Sequence, residues 1–196
     1  MGKTRTFIGV DVGADVRASA AALQQELART CDGVNWVTTD NFHVTLLFIG
    51  DVDDTDLHAI CRAAKTVAAT EPAFDLRVSG VGAFPNARRP KVLWGAVSEG
   101  AESLQRLYTG IEERLLDLRC YRAEERGYTP HLTLGRITTP EAGFAAAAEL
   151  PKHTEWDAGR VKVSDVLVFS SEMERDGPVY NVIGRAPLTG KPPRLA

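Results

Sequence analysis

The sequence predicts an α+β fold: two small, largely antiparallel sheets with helices outside. Three observations carry that prediction. Strand-like and helix-like segments alternate along the 196 residues. Several strand-like segments follow one another across a short turn, the usual link between antiparallel neighbours. The pattern of the first half then recurs in the second, with no Pro/Ser linker or low-complexity stretch between them. The halves are therefore expected to pack against each other.

Residues 5–12 (RTFIGVDV) read as a strand. Residues 14–30 read as a helix, because Val16, Ala20, Leu23 and Leu27 recur at helical spacing. The run 42–49 (FHVTLLFI) is strongly β-prone and is closed by Gly50 and Asp51. A helix is expected over 53–70, with Asp54 and Asp56 near its positive end and a stripe of Leu57, Ile60, Ala64 and Val67. Residues 73–84 and 91–98 are strands around the turn PNARRP.

In the second half, Leu104, Leu107, Ile111, Leu115 and Leu118 mark a helix over 101–119. Residues 128–136 (YTPHLTLGR) read as a strand, 140–150 as an Ala-rich helix, and 161–171 and 179–188 as strands around RDGP. The tail GKPPRLA is expected to fray.

Composition narrows the function classes. Apolar residues make up 44% and charged residues 25%, an ordinary globular balance that argues against disorder. The 23 Lys+Arg against 26 Asp+Glu exclude a broadly basic coat for nucleic acid, but not a local basic cleft. Cys31, Cys61 and Cys120 are odd in number and form no CxxC pair, which points away from a disulfide framework or structural zinc and towards a reducing cytoplasm. Apolar runs fall short of a membrane span, and Asp11 and Asp15 interrupt any signal-like core near the N-terminus.

One short motif occurs twice. Residues 43–46 read His-Val-Thr-Leu and residues 131–134 read His-Leu-Thr-Leu, 88 positions apart. On a strand, residues i and i+2 share a face. Each copy thus presents an imidazole and a hydroxyl on one side and two apolar anchors on the other. Two such strands facing one cleft would bring together two His and two Thr. A neutral imidazole can take a proton from water while a protonated one gives a proton to a leaving oxygen. Threonine hydroxyls can hold non-bridging phosphate oxygens.

A single HxT on a strand says little, since His and Thr both occur there for packing. Two copies in matching contexts say much more. His58, on a predicted helix, and His153, in a polar loop, lack that context and read as surface residues. A metal is not expected, because HxT offers one good ligand per strand, and Asp40 and Glu125 lie too far along the chain to be assumed ligands.

The duplicated HxTL pattern resembles the 2H phosphoesterase superfamily. Its surroundings resemble the RNA 2′,3′-cyclic phosphodiesterase branch, also called 2′-5′ RNA ligase. The resemblance runs through RTFIGVDV, WVTTDNFHVTLLFIG, GVGAFPNARRPKVLWGAV, YTPHLTLGR and VLVFSSEMERDGPVYNVI. It implies one domain over residues 1–196, made of two interleaved, pseudo-symmetric lobes around a central active-site cleft. It implies RNA ending in a 2′,3′-cyclic phosphate as substrate, tRNA halves among the candidates, and a 2′-phosphate product. Reversible 2′-5′ ligation is a further implied capacity. No cofactor or metal is implied, and no membrane partner.

By the same resemblance, His43 matches the proton donor to the leaving oxygen and His131 the acceptor that activates water. Thr45 and Thr133 match the phosphate-binding hydroxyls. Arg136 matches a basic position after the second motif, although strict alternation puts it on the face opposite His131. Phe48 could stack on a terminal base, but alternation places it with Phe42, Val44 and Leu46, which favours the core. Arg88, Arg89 and Lys91 could touch an RNA backbone or simply form a charged turn. Two alternatives stay open: a phosphodiesterase for a small cyclic nucleotide or an ADP-ribose cyclic phosphate, and an RNA-binding accessory without turnover. A monomer is expected, because the cleft forms within one chain.

Overall fold

A computed structural model describes residues 2–119, 121–123, 127–175 and 177–191. Cys120, Glu125 and the chain beyond Lys191, where fraying was expected, lie outside the described residues. The strands are β1 (Lys3–Asp11), β2 (Val34–Trp36), β3 (His43–Asp53), β4 (Phe74–Phe84), β5 (Val92–Glu99), β6 (His131–Ile137), β7 (Asp157–Val163), β8 (Asp165–Glu174) and β9 (Gly177–Pro187). The helices are α1 (Gly13–Leu27), α2 (Leu57–Ala68), α3 (Ala101–Asp117) and α4 (Pro140–Glu149). None of these helices is long and apolar enough to cross a membrane.

The strands run in the order β7-β4-β5-β6-β3-β1-β8-β9, with β2 added alongside β6, and every pairing is antiparallel. The two expected sheets are thus one continuous nine-stranded sheet, its halves of five strands (β7, β4, β5, β6 and β2) and four (β3, β1, β8 and β9) joined where β3 meets β6, and the join is a single residue pair, Val44 with Leu132. The two halves of the chain are interleaved. β4 follows the first motif in sequence but pairs with β5 and β7, while β8 returns to pair with β1. The helices cross over too: α1 packs on β7 and β6, whereas α2 packs on β8 and β9 and α3 on β3.

The apolar stripes explain why these helices form and where they dock. Val16, Ala20, Leu23 and Leu27 are buried on α1, and Leu104, Leu107, Ile111 and Leu115 on α3. Leu118, expected to continue the α3 stripe, instead lies past its end and is exposed. Thr139 caps α4 through its hydroxyl, which accepts from the Ala142 amide at 3.2 Å, and Pro140 starts the helix where its missing N–H costs nothing.

The segment expected as one strand over 161–171 is two strands broken at Ser164, because β7 pairs with β4 in one half of the sheet and β8 with β1 in the other. β2 is too short to show a period in the sequence.

Both motif strands carry a β-bulge. β1 pairs Ile8 with Leu47 and Gly9 with Thr45, skipping Leu46. β5 pairs Leu93 with Gly135 and Trp94 with Thr133, skipping Leu134. Leu46 and Leu134 occupy the same place in the two motifs. An extra residue in one strand reverses the side-chain alternation beyond it. Leu46–Leu47 and Leu134–Gly135 are therefore consecutive buried pairs, and the next residues, Phe48 and Arg136, are exposed on the face of the histidines.

Candidate active site

The paired residues Val44 and Leu132 are the central positions of the two motifs, and both are fully buried. They anchor the motifs back to back in the core. Each flanking His and Thr must then face the other side, where all four are half-buried. Antiparallel register sets His43 beside Thr133 and His131 beside Thr45. The four residues read from the sequence are brought together.

The rings are oriented alike. His43 Nδ1 lies 2.7 Å from the Asn41 carbonyl oxygen, and His131 Nδ1 lies 2.7 Å from that of Thr129. A carbonyl only accepts, so each Nδ1 carries hydrogen, and each Nε2 is left for chemistry. In neutral His43, Nε2 accepts from the Thr45 hydroxyl at 2.9 Å.

Aromatic rings enclose both imidazoles. His43 has Phe7 at 4.8 Å, Phe169 at 5.8 Å and the edge of Tyr180 at 5.5 Å. His131 has Phe84 edge-on at 4.9 Å and Trp94 at 6.2 Å. Burial is the main reason that both histidines titrate below the usual imidazole range. Their backbone hydrogen bonds oppose that shift. Arg136 pushes His131 down further. His43 is pushed down by Arg17 and His131 and up by Asp11.

A cleft of about 730 Å³ opens over Thr45, His131 and Thr133, with Phe48, Lys91 and Arg136 also on its wall. A neighbouring cavity of about 260 Å³ is bounded by His43, with Tyr180 and Arg185. The His43–Thr45 hydrogen bond bridges the two. Phe48 is thus not a core residue, and Arg136 is not on the far face: the bulges correct both alternation arguments. The Arg5 guanidinium sits 5.1 Å from the Phe48 ring centre, a cation–π contact. Arg88 and Arg89 are exposed in a turn where Asn86 Oδ1 accepts from both their amides at 3.1 Å, and they do not line either cavity.

His58 is exposed on α2, and His153 is half-buried in a 3-10 turn rather than a loop; neither lines either cavity. Asp40 borders the smaller cavity. Among the described residues, no three His, Cys, Asp or Glu side chains are grouped as a metal site.

Sequence reasoning missed Tyr128, whose hydroxyl donates to the Thr45 carbonyl at 3.1 Å and whose ring stacks on Tyr108 at 4.5 Å. It also missed Arg5, Tyr180 and Phe84. The orienting carbonyls belong to the residue two before each His, a regularity visible once the motifs are aligned, though backbone oxygens leave no mark in residue types.

The LigT-like phosphoesterase family matches this chain twice, over residues 10–94 and 95–180. An RNA 2′,3′-cyclic phosphodiesterase of Methanothermobacter thermautotrophicus is 32% identical over 179 residues, covering 91% of this chain and 95% of the relative. One from Archaeoglobus fulgidus is 33% identical, covering 90% and 96%. The crystal structure of TT0787 from Thermus thermophilus superimposes with a TM-score of 0.81 at 27% identity, covering 95% of this chain and 99% of the other. E. coli LigT in its apo form shares the fold at a TM-score of 0.75 and 21% identity, covering 96% and 99%. The doubled motif, the interleaved α+β fold and the doubled family match agree, and this chain belongs to the LigT-like phosphoesterase family.

Proposed function

We propose that the protein hydrolyses RNA 2′,3′-cyclic phosphate ends to 2′-phosphates. The observation that carries this reading is the Val44–Leu132 pair, which sets two His-Thr pairs on one face. The names of the relatives supply the substrate class. The whole chain acts as one domain, and the cleft within a single chain supports a monomer.

In the reaction, neutral His131 takes a proton at Nε2 from water as the water oxygen bonds to phosphorus. The P–O3′ bond breaks, and protonated His43 gives its Nε2 proton to O3′. The phosphate stays on O2′. Thr45 and Thr133 donate to the non-bridging oxygens, and Arg136 offsets their charge. The Thr45 hydroxyl must leave His43 Nε2 to do so. If a 5′-hydroxyl replaces water, the same proton traffic makes a 2′-5′ linkage.

Product mapping tests the reading. An RNA ending in a 2′,3′-cyclic phosphate is expected to yield a 2′-phosphate by chromatography against 2′- and 3′-standards, also after exhaustive chelation. A 3′-phosphate product would reverse the donor and acceptor roles. Activity lost on chelation and restored by one divalent ion would overturn proton transfer by two imidazoles alone. A preference for mononucleotide cyclic phosphates over RNA ends would move the substrate class.

The pH profile is a second expectation. Both free-enzyme imidazoles titrate below 6.5. The base is neutral only above its pKa and the acid charged only below its own. The bell of kcat/KM against pH is therefore expected to centre below 6.5 and to fall as pH rises through the His43 pKa. An optimum well above neutrality would contradict the desolvated site.

A further inference from the structure

Gln24 is one of three buried polar side chains among the described residues, with 8% of its surface exposed. Its amide nitrogen gives one hydrogen to the Val37 carbonyl at 2.8 Å and the other to the Leu134 carbonyl at 2.7 Å. Two carbonyls at one nitrogen require the NH₂ end of the amide there. Leu134 is the bulged residue of β6, and its oxygen also accepts from the Val37 amide at 3.0 Å. Gln24 thus ties α1 to the point where β6 changes parity.

In the first motif, among the described residues, the Leu46 carbonyl takes no such side-chain hydrogen bond; the Tyr128 hydroxyl donates instead to the neighbouring Thr45 carbonyl at 3.1 Å. The residue 88 positions after Gln24 is Glu112, on α3, which accepts from the Tyr108 and Tyr121 hydroxyls at 2.8 and 3.2 Å. Among the described residues, a side-chain amide with two hydrogens to give meets the bulge that precedes Arg136. We infer that Gln24 is a positioning residue: by pinning the Leu134 bulge it holds Arg136 on the cleft face beside His131.

This inference rests on the proposed reaction for its kinetic readout but not for its spectroscopic one. Among the described residues, the titratable groups sharing the cleft with His131 are Arg136 on its own strand, Lys91 ahead of β5, and Tyr108, Tyr121 and Tyr128. His43 faces it from β3. Arg136 is the group that lowers the His131 pKa electrostatically.

The test compares Gln24→Met, Arg136→Ala and the double variant. The pKa of each of the four histidines is read by NMR, and KM and kcat are measured on a cyclic-phosphate RNA. Gln24→Met and Arg136→Ala are each expected to raise the His131 pKa towards its ordinary value and to leave His58 and His153 unchanged. KM is expected to rise on the order of 10- to 100-fold, the scale of a misplaced binding group. The double variant is expected to be no worse than Arg136→Ala alone. Gln24→Asn, which keeps the amide but loses its reach, should shift the same readouts less; it carries the test if Gln24→Met does not fold. An unmoved His131 pKa in a folded Gln24 variant, or additive losses in the double variant, would overturn the inference. Absence of RNA hydrolysis by the wild type would instead remove the proposed function and leave the NMR comparison intact.

Discussion

Replacing His131 by alanine is expected to lower kcat for an RNA 2′,3′-cyclic phosphate by about 10²–10⁴-fold, the usual contribution of a general base. His43→Ala is expected to cost a similar factor as the acid is lost. Thr45→Ala and Thr133→Ala should cost less, because the other hydroxyl and Arg136 still meet the phosphate oxygens. The two histidine losses differ in kind. Without the base, the acidic limb of the pH profile flattens; without the acid, the basic limb does. His58→Ala and His153→Ala are the controls and should turn over like wild type, since neither borders the cleft. A control variant as inactive as His43→Ala, alongside a fully active His131→Ala, would sink the two-motif mechanism.

The second large effect is on stability. Leu132→Ala is expected to cost about 2–5 kcal/mol, as for other leucines cut back in a packed core. Leu132 is fully buried and supplies half of the residue pair that joins the two halves of the sheet. Val44→Ala, with fewer atoms removed, should cost less. Urea unfolding gives the number. A Leu132→Ala loss within about 0.5 kcal/mol of zero, the range of surface changes, would mean that the junction is not a packed element. The folded variant should also lose activity, because slack at this pair moves both motifs at once.

The residue pattern made the paired motifs and most helices legible, since a doubled His-x-Thr-Leu and three-to-four apolar spacing are local signals. What alternation hid was the reach of the site. Counting by twos from His43 sends Phe48 inward, and from His131 sends Arg136 away. The residue skipped just after each motif threonine, Leu46 and Leu134, reverses both, and a bulge is set by pairing across strands, not by the bulged sequence alone. The break at Ser164 was hidden likewise: β7 and β8 are both β-prone and adjoin, but pair in opposite halves of the sheet. Nor could residue types show that Tyr128, from just before the second motif, reaches the backbone of Thr45 in the first.

The two bulges deliver unlike residues to like places: Phe48 after the first motif, Arg136 after the second. A twofold frame of two histidines and two threonines has no forward direction; either imidazole could begin as base. Direction needs a difference between the halves. Beside His131 stands the Arg136 cation, which favours the neutral ring, the form the proposed base needs. Around His43 the Arg17 cation is held in an ion pair with the Asp11 carboxylate, which offsets part of its push. The fold repeats the His-Thr pair, and in the proposed reaction the residue after each bulged pair is what breaks that symmetry into an entry side and an exit side for the proton.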